Sequence, residues 1–450
     1  MAQAELRTAD AFTPTEAEQA RTTSKVFRRL IGFLFLAYCF SYLDRINIGF
    51  AALSMNKDLG LTATAFGFAS TLFYLGYMLC EIPSNLMLAR FGARLWIARI
   101  MVTWGIASTA TMFAVGPMSL YVARSVLGIA EAGFVPGVIL YLSLWFPAAH
   151  RARAMAVLLM AQPATFLVGS PLSGSILQLH GYLGIAGWRW LFLIEGIPSI
   201  LLGIWIYFYL TDGPKDAKWL TETERSTLQK TLDDEGRKAP AARAARMWQE
   251  IRSVRVILLA LGYFCLVTSL NTYATWNPQI IREFIHGVNA YGYIGLLGAI
   301  PALFTLVAMP LVGLSSDRSQ ERRLHTSALF AVTAVGWAAV TVFAMPSLRL
   351  AGLVLVSVGA FSAMAMFWTL ATPHLSVRNR PGSIAFINTV GIFGSAVSPT
   401  IVGVLRDLTH SFDSAIWYTV ALLVLGIIAL NVAVTAPKVS PLGAAADGKR

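Results

Sequence analysis

The sequence predicts an all-α membrane protein with about twelve transmembrane helices in two six-helix bundles. Three observations predict it. The 450 residues are 56% hydrophobic and 13% charged, with a mean hydropathy of +0.63, whereas soluble domains run at roughly 45–50% and 25%. Uncharged runs of about 20 residues, the length a bilayer core demands, recur along nearly the whole chain. A single long polar insertion, Thr211 to Arg255, divides those runs six and six.

The first six apolar segments are Arg29 to Ala52, Ala65 to Leu88, Trp96 to Val115, Met118 to Phe146, Ala154 to Leu177 and Trp188 to Leu210. The second six are Val256 to Ile280, Tyr291 to Leu314, His325 to Met345, Leu348 to Leu375, Ile384 to Leu405 and Ala415 to Ala436. The expected organisation is therefore a tail (1–28), a first bundle (29–210), a linker (211–255), a second bundle (256–436) and a short tail (437–450). The first tail is polar and mixed in charge to about Thr23 and carries no signal-peptide core, so it reads as a disordered cytoplasmic extension.

Orientation follows from the basic residues, because cytoplasmic loops collect Lys and Arg. Arg21, Lys25, Arg28 and Arg29 precede the first segment. Alternate turns then carry Arg90 with Arg94, Arg151 with Arg153, Arg318 with Arg322 and Arg323, and Arg378 with Arg380. Both termini are expected in the cytoplasm, with the chain in the inner (plasma) membrane. The opposite loops hold balanced charges such as Lys57 with Asp58 and Arg406 with Asp407. Net charge is +12, but it lies in these short turns, which makes it a topology signal and not a nucleic-acid footprint.

Within the linker, Thr221 and Glu224 have capping-box spacing at the start of a short surface helix that Gly236 and then Pro240 would end. Arg243 to Arg255 reads as basic and amphipathic, suited to an anionic leaflet. The segment has too few apolar residues to build a core of its own.

Cys39, Cys80 and Cys265 all fall in apolar runs, so no disulfide scaffold is implied. The six histidines have no metal-ligand spacing, and no serine elbow or phosphate loop occurs. The expectation is a protein that is not an enzyme and needs no metal or cofactor.

The chemistry concentrates in Arg124 to Tyr141, RSVLGIAEAGFVPGVILY. Arg124 and Glu131 lie seven residues apart, so a helix turning about 100° per residue brings them within roughly 20° of each other on one face, about 10 Å apart along the axis. A charge at mid-bilayer costs about 2.5–3.5 kcal/mol even on lenient scales, so such a pair calls for a wet cavity or for partner charges. A structural interhelical salt bridge is the alternative use. In the first segment Asp44 and Arg45 point about 100° apart, so they cannot address one partner together. The expected arrangement pairs Asp44 with Arg124, sends one of Asp44 and Arg45 to the fourth helix and the other to the cavity, and leaves Arg45 or Arg124 to grip an anion through a guanidinium fork. Glu131 has no basic neighbour within a turn of its own helix, which makes it the first candidate for a coupling proton, with Asp44 second.

Two short basic turns repeat at equivalent places. Gly313, Asp317 and Arg318 after the eighth segment, and Arg90, Gly92 and Arg94 after the second, resemble the G-x-x-x-D-R-x-G-R/K loop signature of the major facilitator superfamily. The first copy departs from it, with Asn85 and Ala89 in place of the glycine and aspartate. More specific are DRINxG from Asp44 to Gly49, RxxxGxxEAGFxPG from Arg124 to Gly137, LYLSLWFP from Leu140 to Pro147, and GWRWLFLIEGIP from Gly187 to Pro198. Together these resemble the anion:cation symporter family of that superfamily, most strongly from Ser41 to Trp219. In the second half Asn277 and the Gly391 to Gly394 stretch depart from the usual pattern.

The resemblance implies the major facilitator fold and import of a small organic anion with protons by alternating access, as in bacterial carriers of hexonates, tartrate, phthalate and hydroxyphenylacetate-like acids. It implies Asp44 and Glu131 as protonation sites and Arg45 and Arg124 as charge-handling residues. Tyr77, Gln162, Asn388 and Trp368 are implied at substrate-contact positions, and the two loops at an inner gate. The expected partners are the organic anion, protons and the bilayer, with no nucleic acid and a monomeric carrier. Rival readings are a proton antiporter exporting amphipathic compounds and a membrane enzyme or nutrient sensor. The second wants a catalytic cluster or soluble domain that the sequence does not offer.

Overall fold

A computed structural model of the chain describes residues 16–238, 251–285, 291–376 and 379–435, and among these there is no strand. The helices are α1 (Glu16–Asp58), α2 (Ala63–Phe91), α3 (Ala93–Ala110), α4 (Pro117–Glu131), α5 (Phe134–Trp145), α6 (Ala148–Leu159), α7 (Ala161–Leu177) and α8 (Gly187–Tyr209). After the linker helix α9 (Glu222–Lys238) come α10 (Val254–Phe284), α11 (Tyr291–Ser319), α12 (Arg322–Val342), α13 (Pro346–Ala371), α14 (Arg380–Thr409) and α15 (Asp413–Thr435). Eleven stretches of the described residues are long and apolar enough to cross a membrane. The remaining position in the six-plus-six order is α3, whose 18 residues include Arg94 and Arg99 and so fall short in hydropathy.

Helix ends follow local chemistry. Thr62 caps α2 by accepting the Ala65 N–H at 3.1 Å, and Ser253 caps α10 by accepting that of Val256 at 3.3 Å. Pro117 and Pro346 open α4 and α13 at positions where their missing N–H costs nothing. The capping box of α9 forms as its spacing predicts: Thr221 N–H donates to Glu224 Oε2 at 2.9 Å, and Glu224 N–H to Thr221 Oγ1 at 3.2 Å.

Four expectations about segments are corrected. Residues 16–28 are not an unstructured tail but the first turns of α1, where Lys25 finds an acidic partner in α9. The fourth segment is two helices: Ala132 leaves helical geometry at ψ 131°, and Gly133 takes the left-handed φ of +86°. Glycine is needed there, since a Cβ would also strike the side chain of Ser84 on α2. The fifth segment starts at Ala148 and turns at Met160 between α6 and α7. Helix α9 runs through Gly236 to Lys238, one glycine being insufficient to stop it. The basic stretch 239–250, with Pro240, lies outside the described residues, as does Arg378.

The two halves meet mainly along α2 against α14 and α7 against α11. Among the described residues, the hydrogen bonds joining them run from the middle of the bundle to the end opposite the termini, here termed distal. Asp407 accepts from the backbone N–H of Ala63 and Thr64 at 3.0 and 2.7 Å and from Thr64 Oγ1 at 2.7 Å. Arg282 donates to the Leu53 carbonyl at 2.6 Å, and Thr71 donates to the Ala396 carbonyl. Gly67 packs directly on the Pro399 carbonyl, an approach no larger residue permits. Beyond these contacts lies a distal cavity of about 760 Å³ lined by Lys57, Asp58, His180, Arg282, Arg406 and Asp407, among others.

Candidate functional site

The side chains that carry charge into the bundle converge where α1, α3 and α4 cross. Glu131 ends α4, and its Oε1 accepts Arg45 Nε at 2.9 Å, Arg45 Nη2 at 2.7 Å and Ser41 Oγ at 2.9 Å. The break after Glu131 places the carbonyl end of a half-helix beside the Arg45 cation, which favours it. Glu131 is wholly buried while the Arg45 side chain keeps 18% of its exposure, so the arginine reaches the rim of the site. Its guanidinium lies over the rings of Tyr77 at 5.2 Å and Phe73 at 5.7 Å.

The expected Asp44–Arg124 pair does not form. Asp44 Oδ1 accepts the Ser108 hydroxyl of α3 and Asn47 Nδ2 at 3.2 Å. It therefore faces α3, while Arg45 is the member of the pair that turns to α4. The cause is the 100° offset between neighbours on α1, which lets each find a different wall. Arg124 is 2% exposed and packs on the Phe73 ring at 4.7 Å. Its Nε and Nη1 are buried with no hydrogen-bond partner, and no ion pair among the described residues includes it.

Tyr77 joins this group through Arg45. Gln162 is one shell away, its Nε2 donating to the Tyr38 hydroxyl at 2.8 Å. Trp368 is half-buried and packs on Tyr263 at 5.1 Å, while Asn388 is half-buried on α14. Neither bonds to the charged group. Across the interface Tyr74 donates to Asn271 Oδ1 at 3.3 Å, and Asn271 Nδ2 donates to the Ser395 carbonyl at 2.6 Å. Sequence reasoning missed Ser41, Ser108, Asn271 and Glu195. Glu195 sits inside GWRWLFLIEGIP and could have been found as a carboxyl in an otherwise apolar run.

The two basic turns behave differently from each other. Gly92 takes φ +88°, and the side chain of Asp212 fills the space beside it, accepting the Arg94 N–H at 2.9 Å. Asp212, from the linker, thus supplies a carboxylate near the place where Ala89 lacks one. Arg94 stacks on Tyr207 at 4.6 Å, while Arg90 is exposed. In the second turn Asp317 pairs with Arg322 at 2.6 Å, whereas Arg318 is exposed and Gly313 has open space beside it. The Asp317 partner is therefore the arginine five residues on, not the adjacent one.

The chain is 42% identical over 429 residues to a putative tartrate transporter of Agrobacterium vitis, covering 94% of this chain and 98% of that one. It is 38% identical over 407 residues to the putative metabolite transport protein NicT of Pseudomonas putida, covering 89% and 92%. A quinolone resistance transporter of Acinetobacter baumannii is 35% identical over 405 residues, with 89% and 92% covered. Among solved structures, the fold resembles an inward-facing bacterial homologue of the lysosomal transporter Spinster at TM-score 0.70 and 17% identity, covering 94% and 97%. It also resembles a D-xylose–proton symporter at TM-score 0.69 and 15% identity, covering 90% and 96%. The model of the Major Facilitator Superfamily matches residues 34–399. Broken and glycine-packed helices in two bundles, charges buried within the first of them and a family match across most of the chain agree: this multi-pass membrane protein belongs to the Major Facilitator Superfamily and is a transporter rather than an enzyme.

Proposed function

We propose that the chain is an inner-membrane carrier that imports a small organic carboxylate together with protons, by alternating access of its two bundles, with both termini in the cytoplasm. The observation that carries the reading is Arg124, a buried guanidinium with two donors that no protein group accepts. A buried cation without an acid partner is costly, and an anionic substrate removes that cost while gaining a bidentate fork. Arg45 is held by Glu131, so Arg124 is the arginine we assign to the substrate. The relatives whose names refer to tartrate and metabolite transport support this substrate class.

Glu131 is assigned to the coupling proton. While ionised it holds Arg45; protonation there loosens the pair and frees Arg45 to turn toward the cavity. Breaking a buried pair in this way costs about 3–5 kcal/mol unless a new acid arrives. Substrate and proton therefore favour each other's binding. With the termini inside, the distal bonds close the outer face, and the conformation is inward-facing.

The test is uptake by proteoliposomes under an imposed pH gradient, with a panel of tartrate, sugar acids and aromatic acids. An inward-acid gradient is expected to drive accumulation of at least one acid, and Glu131→Gln to abolish accumulation while retaining exchange. Equal loss of accumulation and exchange in Glu131→Gln removes the glutamate from the coupling step. The quinolone resistance relative favours a second reading, proton-driven efflux of amphipathic compounds. That reading predicts drug movement against the opposite gradient and no carboxylate uptake.

A further inference from the structure

A third buried carboxyl group, after Glu131 and Asp44, lies in the first bundle, apart from the Arg45–Glu131 pair. Glu195 on α8 is 2% exposed; its Oε1 accepts the Ser173 hydroxyl of α7 at 2.7 Å, and its Oε2 is buried with no partner. None of the ion pairs among the described residues includes it. The charged group facing it is another acid, Asp44 of α1, with the Asn47 amide beside both carboxyls. From α3, Gly105 and the Thr109 hydroxyl pack against the adjacent Gly196 and bring no charge.

The free donor of this cluster, Trp104 Nε1, stands beside Asp44 on the α3 side and leaves Glu195 Oε2 short of one. Asp44 Oδ2, Asn47 Oδ1 and Glu195 Oε2 are all buried acceptors without a partner. A carboxylate only accepts, whereas a carboxylic acid donates through one oxygen. An ionised Glu195 would be a buried anion with no cation beside it and a second acid facing it, so its desolvation would go uncompensated. A bound proton removes the charge and supplies the missing donor together.

We propose that Glu195 holds a proton in the distally closed state, making the Ser173–Glu195–Asn47–Asp44 cluster a second proton site of the carrier. The transport part of this proposal rests on the proton-coupled reading above; the occupancy of the site does not. The cluster lies among α1, α7 and α8; Asp44 at its edge is within electrostatic reach of Arg124, whereas Glu195 faces only Ser173, Asn47 and Asp44, so the Glu195 proton can be present whether or not substrate is bound. The cycle then carries one proton more than the Glu131 site alone provides.

Infrared spectroscopy of the full chain in nanodiscs at neutral pH tests the occupancy. A protonated-carboxyl stretching band is expected that Glu195→Gln removes and Asp44→Asn leaves in place. Persistence of every such band in Glu195→Gln, or loss of the band only in Asp44→Asn, overturns the proposal. Ser173→Ala keeps the acid and removes its 2.7 Å bond, so it should shift the same band; an unmoved band counts equally against the assignment. The transport part is read from the proton-to-substrate ratio in proteoliposomes, obtained from reversal of flux against opposing gradients. Glu195→Gln should lower that ratio by one with exchange retained, and an unchanged ratio refutes the second-site role. If the wild type moves no carboxylate, the proton-coupled reading fails while the infrared result still decides whether Glu195 holds a proton.

Discussion

Arg124 shows how much a single residue can decide in a low-dielectric site. It packs on the Phe73 ring, worth about 2 kcal/mol when desolvated, and has Glu131 and Asp44 within electrostatic reach but in no ion pair with it, so two donors remain unpaired. Removing it by Arg124→Ala is expected to weaken acid binding by about 2–5 kcal/mol, at least ~30-fold in Kd, by calorimetry. Arg124→Lys keeps the charge but not the planar fork, so most of the loss should persist. Similar affinity in the lysine variant would mean that charge alone attracts the substrate. The shared face of Arg124 and Glu131 was legible in the sequence, because helical periodicity fixes it. Their partners were not. Whether Arg45 or Asp44 meets α4 depends on how α1 is rotated against its neighbours, and that rotation is set by packing over several helices.

At the scale of the element, the break between α4 and α5 is the feature that positions the site. A β-carbon at Gly133 would meet the side chain of Ser84 while sitting at φ +86°, so Gly133→Ala is expected to destabilise the chain by roughly 1–2 kcal/mol or more. A lower Tm with Glu131 displaced from Arg45 is the anticipated result; an unchanged Tm would show that the break can straighten without cost. The linker helix gives a pH-dependent case. Burial pushes the Glu224 carboxyl up, but its bonds from Lys25 at 2.8 Å and from Thr221 outweigh that and hold it below the usual glutamate range. A depressed folded value means the stabilisation is present above the unfolded value and lost as pH falls through the folded one. Docking of α9 on α1 should therefore loosen in acid by up to about 1 kcal/mol. Faster amide exchange in α9 at low pH, absent as a pH effect in Glu224→Gln, checks this. The capping box itself was readable from Thr221 and Glu224. The contribution of Lys25 was not, since it comes from α1, 199 residues earlier in the chain.

For the whole molecule, closure at the distal end rests on a few polar contacts between close-packed helices. Asp407 is the central one, because a carboxylate capping the first N–H groups of α2 joins charge to helix dipole across the bundle interface. Asp407→Asn replaces one acceptor with a donor that faces donors. The distally closed population should fall by about 1.5–3 kcal/mol, roughly tenfold or more. Spin-label distances between the distal ends of α2 and α14 read this directly, and an unshifted distribution would move the closing role to the glycine-packed contacts. The aspartate was visible in the sequence only as one of a balanced loop pair with Arg406. Its use as a cap depends on the approach of a helix from the other half.

That the chain crosses a membrane many times, where its polar linker falls and which few charges must be accommodated inside could all be read along the chain. These follow from local quantities: the length of apolar runs, the cost of burying a charge, and the period of a helix. That Glu131 takes Arg45, Asp44 turns to Ser108, Arg124 keeps unpaired donors and Glu195 lies beside a second acid emerged with the folded bundle. Such pairings depend on the rotation and depth of each helix against the others, and a one-dimensional pattern that many packings satisfy equally well does not specify them.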